Sequence, residues 1–414
     1  MAFEVKSGKL LTTNDGIPYM WESYNTSGAT SVTTITSSDA AANDRFGYSI
    51  AIGTSKIVIG ATRDDDNGSE SGSVYVYNLD GTGEIKIDPS DGTANALFGS
   101  SVDIDEKSGK IVVGSVDHDG SGSGGSQSIG GHGRAYIYDL DGTNEVVLAP
   151  SELGGTNSSS YGDNFGQNVK IHNNKVYVTA PKHGGIEKGT LFVFNTDGTN
   201  KQLYTAPVQK NNARFTAGFA IGSEKIVIGH NEGTGNEKVH IFDTSMNFIK
   251  SFRVYDSFNQ LGDSWLAVGS GRIVIGQLVD DAAANNAGAV LIYNTDGQYI
   301  NKIYSPRPTA SGFFGSKVSV DCGKIFVGAD DNENPGNGNF VYIYDLDGNF
   351  ISEINEGSSY PDLGKGTDYQ LVYKNGKLAL GQSSAFSNTE EVLLYDCPPM
   401  YTPFDARDLE KGYK

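Results

Sequence analysis

Short apolar runs recur along the chain, each opened by Lys or Arg and most of them closed by Gly. The clearest is Lys56-Ile57-Val58-Ile59-Gly60-Ala61, and counterparts begin at Lys110, Lys175, Lys225, Arg272, Lys324 and Lys377, seven in all. Upstream of most stands an aromatic or Leu followed by Gly: Phe46-Gly47, Phe98-Gly99, Phe165-Gly166, Leu261-Gly262, Phe314-Gly315 and Leu363-Gly364. Downstream come a second apolar run, such as Val74-Tyr75-Val76-Tyr77, and an Asp-Gly pair. The period is about 50 residues, the signature of a repeat architecture. The fourth copy is worn: Phe215 lacks its Gly, and Met246-Asn247 stands in place of Asp-Gly.

Asp-Gly between apolar runs supplies the positive φ of a tight hairpin, so each repeat reads as antiparallel strands. In the first repeat these are expected at Ser49 to Ile52, Ile57 to Gly60, Ser73 to Tyr77 and Glu84 to Ile87. The middle two are apolar at successive positions, which predicts a sheet covered on both faces. The fold class is therefore all-β, a seven-bladed β-propeller of four-stranded antiparallel blades over residues 30–397. The seventh repeat stops after its third strand, at Cys397-Pro398-Pro399. The stretch 30–39 precedes Phe46-Gly47 just as 84–91 precedes Phe98-Gly99, so an N-terminal strand is expected to complete the last blade and close the ring.

Residues 1–29 form an N-terminal docking arm and 398–414 a C-terminal tail, both rich in aromatics. Tyr19, Trp21, Tyr401 and Phe404 are the docking residues expected to pack on the propeller or a partner. Glycine, at 54 of 414 residues, suits many tight turns, and helix-forming stretches are nearly absent. The net charge of −19 repels phosphate backbones and argues against nucleic acid as a partner. Met1 to Leu10 has no apolar core of secretory length and no run approaches a membrane span, so a soluble chain made in a cytoplasm, without signal peptide or membrane insertion, is expected. Cys322 and Cys397 fall at non-equivalent places in neighbouring blades and read as free thiols.

In such a blade the loops joining strands two to three, and those leading into the next blade, are long and share one face of the disc. Function collects on such loops. They carry Asp64, Asp65, Asp66, Asp117, Asp119, Asp280, Asp281, Asp330 and Asp331. Carboxylates and amides at alternate positions suit calcium, and Asp330, Asn332 and Asn334 are the nearest to a ligand series, although Gly338 stands where a closing acid is expected. The other reading is hydrated, hydrogen-bonded loop carboxylates, with no cofactor. No serine lies in a Gly-x-Ser-x-Gly frame, and His118, His132, His172, His183, His230 and His240 look solitary. An acid pair could cleave a glycan, but carboxylates recurring at equivalent loop positions are better explained by the repeat. The stretch 120–126 reads as a flexible loop, since no Lys-Ser/Thr or helix follows its glycines.

The Phe-Gly opening, the Gly60-Ala61 and Gly328-Ala329 strand ends and the period resemble FG-GAP repeats, a family that includes the propeller head of integrin α subunits and many bacterial and bacteriophage proteins. The resemblance implies a propeller, and in integrin-like members calcium on an Asp-rich loop after Gly-Ala, the region of Asp64, Asp66, Asp117, Asp119, Asp330, Asn332 and Asn334. The expected function is a non-enzymatic structural protein of a bacteriophage virion, tail- or capsid-associated and assembled in the host cytoplasm. Its arms would hold other virion proteins, and its long-loop face would meet a host surface glycan or protein. The alternatives are a bacterial protein- or glycan-binding interaction module and, third, a glycan-cleaving enzyme.

Overall fold

The computed structural model describes residues 8–12, 18–22, 32–118, 131–153, 162–208, 211–216, 218–232, 236–254, 265–329, 340–355, 369–382, 390–397 and 402–403. Seven four-stranded antiparallel sheets dominate it. Blade 1 comprises Phe46–Ile52, Lys56–Ala61, Ser73–Asn78 and Ile85–Ile87. Blade 2 takes Phe98–Asp105, Lys110–Ser115, Arg134–Asp139 and Val146–Leu148, and blade 3 Val169–His172, Lys175–Ala180, Thr190–Asn195 and Gln202–Tyr204. Blade 4 has Phe219–Ile221, Lys225–Asn231, Glu237–Asp243 and Phe248–Arg253, and blade 5 Leu266–Gly269, Arg272–Gln277, Ala289–Asn294 and Tyr299–Ile303. Blade 6 has Lys317–Asp321, Lys324–Ala329, Phe340–Asp345 and Phe350–Asn355. Strands pair in chain order, and the first strands of successive blades touch around the ring, which places them innermost.

Blade 7 joins the two ends of the propeller. Tyr369–Lys374, Lys377–Gln382 and Glu391–Asp396 are completed by Val32–Ile35, paired antiparallel from Val32↔Tyr395 to Ile35↔Val392. The ring closes as expected, with a closing strand shorter than the stretch 30–39. Ser38 and Asp39 leave the sheet to bond blade 1, through Glu84 and Tyr75 respectively.

Each motif residue has a packing reason. The second and third strands of blade 1 are buried at every position except Lys56 and Asn78, because a neighbouring blade covers each face. The Phe of the Phe-Gly pair wedges edge-on against two aromatics of its own third strand: Phe46 on Tyr75 and Tyr77 at 5.4 and 6.3 Å, Phe98 on Tyr136 and Tyr138 at 5.2 and 6.2 Å. The two glycines of the motif meet across the junction between blades. A Cβ on Gly60 would lie 2.2 Å from the carbonyl oxygen of Gly99, and the same clash arises at Gly114 against Gly166, Gly276 against Gly315 and Gly381 against Gly47. The last of these joins blade 7 to blade 1, so the seam is packed like the other junctions. There Ile35, Val392 and Leu394 share one apolar cluster with Phe46, Ile50 and Tyr75.

Outside the blades, Gly8–Thr12, Pro18–Glu22 and Thr402–Pro403 form a separate three-stranded antiparallel sheet from both chain ends. Among the described residues no helix is long and apolar enough to cross a membrane. The thiols of Cys322 and Cys397 are free, and burial pushes them up to about 12 and about 11.

Candidate functional site

The turns joining first to second and third to fourth strands are short, whereas the others, apart from the short hairpin between Asn231 and Glu237 of blade 4, are long, so the long loops gather on one face as expected. In blade 1 that face is built around a lysine. Lys86 lies on the outer strand directly opposite Tyr75, which places its ammonium under the loop after Gly60-Ala61. Its Nζ sits 2.7 Å from Asp39, 3.0 Å from Asp64 and 2.5 Å from Asp66. The Tyr75 hydroxyl lies 2.8 Å from Asp39 and 2.7 Å from Asp64. Burial disfavours the charge on Lys86, but the hydrogen bonds it donates to the three carboxylates outweigh this and hold the ammonium above the usual lysine range. Burial also works against ionised Asp39, and its bonds from Lys86 and Tyr75 win, lowering its pKa. Among the described residues these three carboxylates are the one group of three or more acids, histidines or cysteines whose ligand atoms lie close enough to share a metal ion. Their centre is taken by Lys86, so a hard cation would have to displace an intramolecular one.

Blade 5 repeats the device. Asp280, at the position of Asp64 and 3% exposed, receives Lys302 at 2.5 Å from the position of Lys86. The second acid of each pair closes the loop: Asp65 accepts the Glu70 N–H at 2.7 Å and Asp281 that of Asn286 at 2.6 Å. In blade 2, Asp91 takes the place of Asp39, accepts the Tyr136 hydroxyl at 2.8 Å and pairs with the Arg134 guanidinium. Blade 6 carries the pair with its charges exchanged, Arg307 donating to Glu353 at 2.8 Å. The Asp-Asp pairs of blades 1 and 5 are thus loop-building devices. That arrangement leaves little for acid–base chemistry.

Asp117 is half-buried and accepts the Gly131 N–H at 2.9 Å, and burial raises its pKa. Asp119, Asp330, Asp331, Asn332 and Asn334 lie outside the described residues, as do Tyr401 and Phe404. Tyr19 and Trp21 fall on the central strand of the terminal sheet, their backbones opposite Pro403 and Lys9.

Two features escaped the sequence reading. The first is a central channel of about 850 Å³, lined by the first strands of all seven blades. Inside it polar side chains bridge adjacent inner strands: Asp103 accepts the Ile171 N–H at 2.9 Å, and Ser319 accepts that of Tyr373 at 3.0 Å. His172 lines the same channel with a lowered pKa, since burial disfavours its charge. Asp103 and Ser319 hold the same register position in blades 2 and 6, opposite Val112 and Phe326, but the residue type there differs from repeat to repeat, with Ala51, Lys170 and Val372 in others. The second is a histidine pair. His230 and His240, which look solitary in the sequence, meet in blade 4 with Nδ1 and Nε2 3.1 Å apart. The hairpin register was the missing signal, because His230 lies opposite Lys238 and Ile228 opposite His240.

Residues 29–77 and 82–138, which take in the closing strand, blade 1 and the first three strands of blade 2, match the FG-GAP repeat family. No curated protein matches the chain in sequence. Among solved structures, the chain is similar to the β-propeller domain of the Trilobed protease from Pyrococcus furiosus, with a TM-score of 0.50 and 12% identity over 87% of this chain and 99% of that one. That domain is described as having an open velcro topology, and at this identity the likeness is one of fold.

Proposed function

We propose that this FG-GAP propeller is a non-enzymatic binding and structural module, and that it serves as a bacteriophage virion component, tail- or capsid-associated, presenting its long-loop face to a host surface. The fold, a rigid ring displaying loops, supports the coarser half of this reading. The observation that carries the rest is the terminal sheet. Strands from 8–22 and 402–403, separated in sequence by the whole ring, pair outside the blades. A sheet made from both ends is suited to anchoring the propeller on another protein while leaving the loop face free. On that face the carboxylates of blades 1 and 5 are engaged in ion pairs and loop closure, which favours recognition over catalysis. Mass spectrometry of purified particles from the native source should find the chain in stoichiometric amount, and its absence from particles would overturn the virion assignment.

A second reading, a bacterial protein- or glycan-binding module, draws support from the outer rim. Phe248, Tyr299 and Phe350 occupy equivalent places on the outer strands of blades 4, 5 and 6, and each is 47–48% exposed. Aromatic rings displayed at regular intervals suit stacking on sugars or docking of a protein. Binding to a glycan array that disappears when all three become Ser would favour this reading. Turnover on the same array would instead support a glycan-cleaving enzyme and sink the non-enzymatic assignment.

A further inference from the structure

In blades 1 and 5 the niche between the third strand and the loop after the second strand holds a cation, the ammonium of Lys86 or Lys302. Blade 4 has lost every part of that device. Ser251 stands at the position of Lys86, exposed Val208 at the position of Asp39, and His240 at the position of Tyr75. One further departure accompanies these: His230 replaces the alanine found at Ala61, Ala180 and Ala329. Both histidines are buried, with facing nitrogens 3.1 Å apart. A tetrahedral ion bound at ordinary Zn–N distances sets its two nitrogen ligands about 3.3 Å apart. The Glu232 carboxylate, also nearly buried, lies 3.6 Å from His230 Nδ1 and 2.8 Å from the Lys238 ammonium.

We propose that blade 4 binds a borderline divalent transition-metal ion of the Zn²⁺, Co²⁺, Ni²⁺ and Cu²⁺ class through His230 Nδ1 and His240 Nε2, with Glu232 as third ligand and water completing the shell. Two imidazoles select such ions over calcium or magnesium, which demand oxygen. Metal entry replaces the hydrogen bond between the rings. The proton now shared by Nδ1 and Nε2 moves by tautomer change to an outer ring nitrogen, so both imidazoles stay neutral. The three ligand atoms do not yet lie close enough together to share an ion, so Glu232 would have to swing from Lys238 towards the two rings. Phe215 packs edge-on against both rings at 5.8 and 5.6 Å and limits their freedom to turn away. The ion would fasten the second and third strands of the worn blade.

The test uses the full chain stripped of metal, titrated with Co²⁺ and Zn²⁺ beside Ca²⁺ and Mg²⁺. One equivalent of Co²⁺ should bind with visible d–d absorption of low coordination. Zn²⁺ should raise Tm by about 3 °C at roughly 100-fold above its Kd, while Ca²⁺ and Mg²⁺ should not. His230→Ala and His240→Tyr each restore the residue used by other repeats, so both variants are expected to fold. Loss of the Co²⁺ spectrum and of the Zn²⁺ shift in each supports the site. No binding by the unaltered chain, or binding unchanged in these variants and hence located at exposed histidines such as His132, overturns it.

Discussion

Glu390 shows how one residue can substitute for chain continuity. At four junctions the N–H of the Phe that opens a blade is taken by a backbone carbonyl of the preceding blade: Phe98 by Ser71, Phe165 by His132, Phe215 by Lys188 and Phe314 by Ala287. At the seam the Phe46 N–H goes instead to the Glu390 side chain at 2.8 Å. Glu390 stands where blades 1, 2, 3 and 5 have Gly72, Gly133, Gly189 and Gly288. Burial raises its pKa, only partly offset by the N–H groups of Phe46, Arg45 and Asn43. A carboxylic acid with a raised folded pKa favours its neutral form in the fold, so its contribution to stability improves as pH falls through that pKa and weakens above it. Glu390→Gln, which keeps an acceptor without the charge, is therefore expected to match or exceed the parent at pH 7, whereas Glu390→Ala should cost about 1–3 kcal/mol by orphaning a buried N–H. Denaturant midpoints measured side by side check this, and equal losses in the two variants would contradict it. Thr216 is the opposite case, a residue that fits its place badly. It takes the motif-glycine position at φ +79°, fully buried, with its hydroxyl lacking a hydrogen-bond partner. A β-branched residue in that region is strained by roughly 1–3 kcal/mol. Thr216→Gly should gain about 1 kcal/mol after the extra chain entropy of glycine is subtracted, read as a higher urea midpoint at constant m-value.

Among elements, the long loops and the outer strands depend on each other. The loop after the second strand in blade 5 is held by the Asp280–Lys302 pair, both side chains nearly sealed from solvent. Removing one partner of such a pair strands the other charge, which costs far more than the pair contributes as a whole. Lys302→Met should therefore destabilise by about 3–5 kcal/mol, while the double variant Lys302→Met with Asp280→Asn should recover most of the loss. A double-mutant cycle showing simple additivity would remove the lock from the account. The acidic loops were legible in the sequence as a repeated feature, because Asp64-Asp65 and Asp280-Asp281 follow the same strand motif. Their role was not. The lysines that bind them lie 22 residues downstream, and only the pairing of third and fourth strands brings them together. The outer strands also divide into two kinds. Those of blades 4 to 6 are longer, contain a register shift and display an aromatic, whereas those of blades 1 to 3 are three residues each.

For the whole molecule, stability depends on a four-residue strand. Val32–Ile35 supplies the outer edge of blade 7, and Ile35 belongs to the apolar cluster that joins blade 7 to blade 1. In a ring whose blades are held mainly by their neighbours, opening one junction exposes two apolar faces. Deleting residues 1–38 should abolish the single cooperative melting transition. Deleting only 1–22, which removes two strands of the terminal sheet, should leave the transition of the ring in place. Calorimetry on the two truncations separates closure from anchoring, and equal melting profiles would refute the closing role.

The sequence by itself determined the number of blades, their order and the means of closure, because each repeat must present the same apolar and glycine positions to its neighbours. Gly60 and Gly99 are conspicuous as letters because they touch as atoms. Local periodicity carries such information, since a strand covered on both faces must be apolar throughout. What the tertiary structure decided are the meetings between residues far apart in the chain: Lys86 among three carboxylates, His230 against His240, Glu390 on Phe46, and both chain ends in one sheet. Each depends on strand register and on ring closure. Charge and hydrogen-bond partners are chosen by distance in space, to which the spacing of letters along the chain is a poor guide.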